Sequence, residues 1–149
     1  MNGEYRNTID EKGRIMIPPR LREQLATNEL VLTKSTNDSL WLFTKNEFAQ
    51  LEAAVNYGPL SLFNQNSRIL DMTVISPARD VELDKSGRLS VPQVLRDYAA
   101  LASKTECVIL GSRNHIEIMS AEKYEALMES FKVKVPEAGN NLSQQRMDH

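Results

Sequence analysis

The stretch Ile9-Asp-Glu-Lys-Gly-Arg-Ile-Met-Ile-Pro-Pro-Arg-Leu-Arg-Glu23 returns 74 residues later as Leu83-Asp-Lys-Ser-Gly-Arg-Leu-Ser-Val-Pro-Gln-Val-Leu-Arg-Asp97. Asp, Gly, Arg, Pro, Leu and a second Arg are identical in the two copies, and Ile/Leu, Ile/Val and Glu/Asp exchanges fill further columns. The likeness continues downstream. Glu29-Leu-Val-Leu32 faces Glu106-Cys-Val-Ile109, and Leu40-Trp-Leu-Phe-Thr44 faces Ile116-Glu-Ile-Met-Ser120. The offset drifts from 74 to 77 to 76, as short loop insertions produce. Matches kept in one order over this span mark an internal duplication.

Each copy reads as strand, strand, helix, strand, strand, helix. Glu4 to Ile9 is the first strand. In the turn Asp10-Glu-Lys-Gly13 an aspartate bonds backbone two residues on and a glycine supplies positive φ, which predicts a hairpin. Arg14 to Ile17 is the return strand. Pro18 cannot donate to a ladder and suits a helix start, and Leu21 and Leu25 give that helix one apolar face. Val31-Leu32 and Leu40 to Phe43 are short apolar strands. Thr44-Lys-Asn-Glu47 is a capping box that opens a helix with a Phe48, Leu51 and Val55 stripe. In the second copy Val81 to Leu83 and Leu89 to Val91 are strands, and Ser120 caps a helix striped by Tyr124, Leu127, Met128 and Phe131. Between the copies Gly58-Pro59 ends the first long helix, and 61–70 is spaced for a linking helix. Past Lys132 the chain is polar and aperiodic and reads as a frayed tail, with a strand over Lys132 to Val135 as the alternative.

The chain has 149 residues, 41% hydrophobic and 26% charged, the composition of an ordinary soluble globular protein. No apolar stretch approaches the roughly 20 residues of a membrane span, and none near the start resembles a secretory signal, so a cytoplasmic protein is expected. Cys107 stands alone inside an apolar run, which reads as a buried small hydrophobe rather than a nucleophile. His115 and His149 have no second His or Cys at ligand spacing, so no structural metal is expected. No glycine-rich phosphate loop, nucleophile elbow or HExxH motif is present, and the sequence does not read as an enzyme or as a cofactor carrier. Net charge is −2 and the isoelectric point about 5.7. Nucleic-acid binding must then rest on where the charges sit.

Period two assigns the faces. Ile15 and Ile17 share one face and Arg14 and Met16 the other, while Leu89 and Val91 oppose Arg88 and Ser90. The apolar pairs belong to the core, so the two arginines point outward just after a glycine turn, at equivalent positions. Lys12 and Lys85 sit on those turns, and Ser86 stands where the first copy has Lys12. Two readings stand side by side. Asp10 with Arg14, and Asp84 with Arg88, are surface pairs that brace a hairpin, or the arginines form a basic face on an acidic chain. The carboxylates read as structural in either case. Arg22 and Arg96, in the short helices, read as solvated charge or a subunit contact. Trp41 lies on the face opposite Leu40 and Leu42 and reads as a core or interface anchor.

Gly3-Glu-Tyr, Asp10-Glu-Lys-Gly-Arg-Ile-Met-Ile-Pro18 and Glu82-Leu-Asp-Lys-Ser-Gly-Arg-Leu-Ser-Val-Pro92 resemble the MraZ family, bacterial transcriptional regulators with two tandem domains of the SpoVT/AbrB type. The resemblance covers residues 1–131, and its doubled Asp-x-x-x-Arg motif is specific. It implies an α+β, β-rich fold: an AbrB-like swapped-hairpin β-barrel built by the two internal repeats within one chain. The expected layout is a first domain over 4–46, connecting helices over 47–76, a second domain over 77–120, a C-terminal helix over 121–131 and a disordered tail over 132–149. The resemblance also implies a ring-shaped homo-oligomer, associated with the nucleoid, that binds double-stranded DNA. Its sites would be direct repeats in the promoter of its own division and cell-wall gene cluster, which it would repress. Carried over residue by residue, the DNA-binding arginines are Arg14 and Arg88, with Asp10 and Asp84 as motif acids; Lys12 and Lys85 join them from turn geometry. A ring-forming protein-interaction module without specific DNA binding is the alternative.

Overall fold

A computed structural model describes residues 1–55 and 63–147, without the side chains of 143–147. The first copy supplies strands β1 (Asn2–Thr8) and β2 (Arg14–Met16), helix α1 (Pro19–Leu25), strands β3 (Glu29–Lys34) and β4 (Leu40–Thr44), and helix α2 (Lys45–Val55). Helix α3 (Gln65–Leu70) runs into a wide π-helical turn, Asp71–Ile75. The second copy repeats the order as β5 (Arg79–Glu82), β6 (Arg88–Ser90), α4 (Gln93–Ala99), β7 (Glu106–Ser112), β8 (His115–Ser120) and α5 (Ala121–Phe131), and helix α6 (Val135–Met147) follows. The fold is α+β and built from two repeats of the expected element order. The expected helix break at Gly58-Pro59 lies outside the described residues, and α3 keeps the part of the expected linking helix from Gln65 onward.

The strand pairing is reciprocal. β1 of the first copy pairs with β7 of the second, and β5 of the second pairs with β3 of the first. The six-stranded sheet has the order β1-β7-β8-β4-β3-β5. Exchanging the two copies reverses that order onto itself, so a pseudo-two-fold axis passes between β8 and β4. The same axis crosses a separate ribbon in which β2 pairs with β6, Ile15 opposite Leu89. Each repeat thus lends its first hairpin to the other. Among the described residues the larger ladder runs open from β1 to β5, so hydrogen bonding alone does not close the expected barrel.

One apolar core joins these parts. Leu30, Leu32, Leu40, Leu42, Cys107, Ile109, Ile116 and Ile118 cover one face of the sheet. Ile15, Ile17, Leu89 and Val91 from the ribbon side and Leu21 and Leu95 from α1 and α4 pack onto them. Every strand residue in that set alternates with a neighbour on the opposite face, as the pleat requires. On the far face Val31, Phe43 and Phe48 form a smaller cluster with Trp41, Leu51, Ile75 and Ala78. Trp41 therefore lies where alternation put it, edge-on to Phe43 and His115. Cys107 is fully buried, and burial pushes its thiol up to about 11. That is an inert core residue.

Helix ends follow local chemistry. Thr44 Oγ1 accepts from Glu47 N (3.2 Å) and Ser120 Oγ from Lys123 N (3.0 Å), both N-cap bonds. Two expectations are corrected here. The stripe on α5 is only partly packed: Tyr124 and Leu127 are half-buried, while Met128 is 49% and Phe131 41% exposed. The aperiodic tail carries α6, whose described side chains are all exposed. Pro136 in its first turn fits a helix start, and Ala, Gln and Leu tolerate helical backbone without needing an apolar stripe.

α1 and α4 end alike on Ala26 (φ 58°) and Ala100 (φ 55°), alanines in left-handed backbone. That conformation costs an L-residue roughly 1–2 kcal/mol and suits glycine. Ala26→Gly and Ala100→Gly should each raise stability by about 0.5–1 kcal/mol once glycine's extra unfolded-state entropy is offset. Urea unfolding measures it, and a lower midpoint in both variants would show that the turns are not strained.

Candidate nucleic-acid interface

The two Asp-x-x-x-Arg turns have the same construction. Asp10 Oδ1 accepts the backbone amides of Lys12 (2.8 Å) and Arg14 (2.9 Å), and Asp10 Oδ2 accepts Arg14 Nε at 2.9 Å. Asp84 Oδ1 accepts the amides of Ser86 and Arg88, both at 2.9 Å, and Oδ2 accepts Arg88 Nε at 2.8 Å. Backbone bonds close each turn, Gly13 N to Asp10 O (3.0 Å) and Gly87 N to Asp84 O (2.9 Å). Gly13 (φ 76°) and Gly87 (φ 81°) hold left-handed backbone, which accounts for glycine at both positions. Each carboxylate thus ties three donors of its own turn.

This construction also sets the electrostatics. Both aspartates are held below the usual carboxylate range, first by the amide of Arg14 or Arg88, with further help from the guanidinium. Each carboxylate engages its arginine through Nε. Among the described residues the terminal amino groups, Nη1 and Nη2, of Arg14 and Arg88 make no hydrogen bond. Each guanidinium is aimed by its edge and leaves an end-on fork of donors open, the geometry that fits phosphate or a guanine edge.

The ribbon brings the two arginines together. Arg14 lies opposite Ser90 and Arg88 opposite Met16, so all four share the face away from buried Ile15 and Leu89. Arg14 and Arg88 are diagonal neighbours on that face, with backbones roughly 7–8 Å apart. Their side chains are 27% and 35% exposed. Lys12 and Lys85 are exposed at the turns and make no ion pair among the described residues. They are not equivalent: Lys85 occupies the place of Glu11, which pairs with Lys104 at 3.2 Å. Among the described residues no group of three or more His, Cys, Asp or Glu is placed to hold a metal ion, and no helix is long and apolar enough to cross a membrane.

Arg22 and Arg96 depart from the solvated-charge reading. They are half-buried rather than solvated. Arg22 Nε donates to Ile17 O (3.0 Å) and Arg96 Nε to Val91 O (3.1 Å). Each guanidinium lies against the turn glycine of the other repeat, Arg22 at Gly87 and Arg96 at Gly13. Their identity in both copies was the available signal.

A carboxylate whose folded pKa is depressed stabilises the fold above its unfolded pKa, and that contribution is lost as pH falls through the folded value. Asp10 and Asp84 should therefore titrate below about 3.9 when followed by carboxyl carbon NMR. The turn amides should keep native shifts down to that range. Asp10→Asn should remove this acid dependence from its own turn and leave that of Asp84; titration of both at the ordinary value would overturn the assignment.

A family profile described as "MraZ protein, putative antitoxin-like" matches residues 1–72 and 74–141. A protein of Treponema denticola named "Transcriptional regulator MraZ" is 36% identical over 144 residues, 97% of this chain and 98% of its own. Its namesake in Treponema pallidum (strain Nichols) is 39% identical over 126 residues, 85% of this chain and 83% of its own. Another in Ligilactobacillus salivarius is 35% identical over 140 residues, 94% of each chain. On the profile match and these relatives, the chain belongs to the MraZ family.

Proposed function

We propose that this protein is a sequence-specific DNA-binding transcriptional regulator that uses its two turns as a paired reading head. The supporting observation is the placement of Arg14 and Arg88, both half-buried, on the one face of the ribbon that points away from the core. Each is aimed by an aspartate and carries a free end-on fork. Holding a long side chain in one orientation before binding lowers the ordering cost, which for a free arginine reaches roughly 2 kcal/mol. Lys12 and Lys85 add phosphate contacts beside them, which position a protein without reading sequence. The names of the relatives point the same way.

The finer reading follows from the resemblance. The protein acts as a cytoplasmic, nucleoid-associated ring of identical subunits on direct repeats upstream of its own division and cell-wall gene cluster, and represses that cluster. The tandem domains at 4–46 and 77–120 each supply one turn. Two arginines and two lysines make a weak site alone. Aligning several subunits on evenly spaced DNA repeats makes later contacts intramolecular and raises the overall affinity. The exposed Met128 and Phe131 on α5 offer apolar surface for association between subunits.

Fluorescence anisotropy on the DNA upstream of the gene, with scrambled DNA as control, tests this. Binding should be repeat-dependent, and log Kd against log salt should change by about 0.9 per phosphate neutralised. Arg14→Ala and Arg88→Ala should each weaken binding by roughly 5- to 150-fold, the range of one bidentate base contact, with the oligomer intact. Equal binding to scrambled DNA, unchanged in the variants, would favour the interaction-module reading.

A further inference from the structure

We propose that Arg22 and Arg96 are positioning residues acting across the repeats, with Arg96 holding the turn of Arg14 and Arg22 the turn of Arg88. This rests on the reading that the turns bind DNA, but the bracing itself is a property of the free protein. A Cβ placed on Gly13 would fall 2.6 Å from Arg96 Cζ and 2.8 Å from both Nε and Nη1. Three atoms of one guanidinium at nearly one distance mean that its plane lies flat on the glycine. Gly87 receives Arg22 in the same manner. Both glycines are buried, although Lys12 and the stretch Asp84 to Ser86 beside them are exposed. The arginines cover the inner side of each turn while its outer side stays open.

The backbone closes this contact into a circuit. Ile17 donates its amide to Gly87 O at 3.0 Å, and its carbonyl accepts Arg22 Nε at 3.0 Å. Val91 donates to Gly13 O at 2.9 Å and accepts Arg96 Nε at 3.1 Å. One residue of each repeat is thus bonded at once to the other repeat's turn and to the arginine lying on that turn. α1 and α4 carry the arginines and are anchored by fully buried Leu21 and nearly buried Leu95. Arg96 is held further by Gln93 Oε1 at 2.6 Å. The chemistry needs arginine. Only a planar guanidinium both donates from Nε and stacks flat on a side-chain-free backbone, and a lysine ammonium does neither. Glycine is then required twice at each turn, for its left-handed φ and for the space the guanidinium fills.

The arrangement makes a crossed prediction that a purely local or purely global role does not. Arg96→Ala alone should weaken DNA binding about 5- to 30-fold. Its effect should fall below about 2-fold in an Arg14→Ala background, because the contact it positions is already gone, and persist in Arg88→Ala. Arg22→Ala should show the mirror pattern. Without DNA, amide hydrogen exchange at Gly13 and Arg14 should quicken in Arg96→Ala and stay unchanged at Gly87 and Arg88, and the reverse should hold for Arg22→Ala. Arg96→Lys, which keeps charge and fold, should behave as Arg96→Ala. Equal losses in both backgrounds would make these arginines direct DNA contacts or general stabilisers and overturn the proposal, as would wild-type behaviour of Arg96→Lys. If Arg14→Ala leaves binding unchanged, the DNA reading fails, and the exchange pattern still decides the bracing.

Discussion

Ile15 pairs with Leu89 where the two repeats meet, and the antiparallel ribbon around them is only three residues long on each side. So short a ladder is marginal by itself. It is extended at both ends by the opposing turn, through the amides of Ile17 and Val91 bonded to Gly87 and Gly13. The turns are therefore part of the joint between the repeats, and their left-handed glycines supply the carbonyls that extend the ribbon. Its inner residues are fully buried on the sheet, which leaves Arg14, Met16, Arg88 and Ser90 as the outer row of the joint, the first three half-buried and Ser90 exposed. The same pairing that holds the halves together fixes the spacing of the two arginines.

Much of this was legible because each residue of the motif answers to a short-range backbone requirement. Asp must reach an amide two residues on, Gly must adopt positive φ, and Pro must end a ladder and start a helix. None of these depends on what lies across the core. Period-two alternation likewise placed Ile15, Ile17, Leu89 and Trp41 correctly. Which strands pair was not legible from the residues alone. β1 shows the same alternation whether it pairs within its own repeat or with β7, and only the family resemblance suggested the exchange. The role of Arg22 and Arg96 was hidden for the same reason. The turn each one covers lies in the other repeat, and local pattern shows only a charged residue on a short helix. The stripe on α5 is covered over Tyr124 and Leu127 and open over Met128 and Phe131, because periodicity reports which side chains share a face, not how much of that face is covered.

The two repeats are alike in backbone and unlike in charge. The first turn reads Asp10-Glu-Lys-Gly, the second Asp84-Lys-Ser-Gly. The bonds that shape the turn come from aspartate, backbone amides and glycine, so the two intervening side chains are free of structural duty and can differ. Glu11 is drawn aside to Lys104, which leaves Lys12 as the charge beside Arg14, while Lys85 stands beside Arg88. The pseudo-symmetry thus fixes the arginines and leaves the flanking cations to vary.

Net charge is a sum over the whole surface, whereas a ligand at the ribbon responds to charges within about 8 Å at physiological salt. Most other cations named in ion pairs are spent elsewhere. Arg6 is tied to Glu106 and Glu125, Lys45 to Glu29, Lys123 to Asp38 and Lys132 to Glu129. At the turns Lys12 and Lys85 have no ion-pair partner among the described residues, and Asp10 and Asp84 accept from the turn amides and from Nε. Accepting three donors orients each carboxylate without cancelling its charge, and Asp10 and Asp84 stay 37% and 38% exposed, so what each pair offers a ligand is the aim of its outer fork rather than a net positive charge. The acids at the turns set the direction of the two guanidinium groups, and the cations left without an ion pair beside them are Lys12 and Lys85.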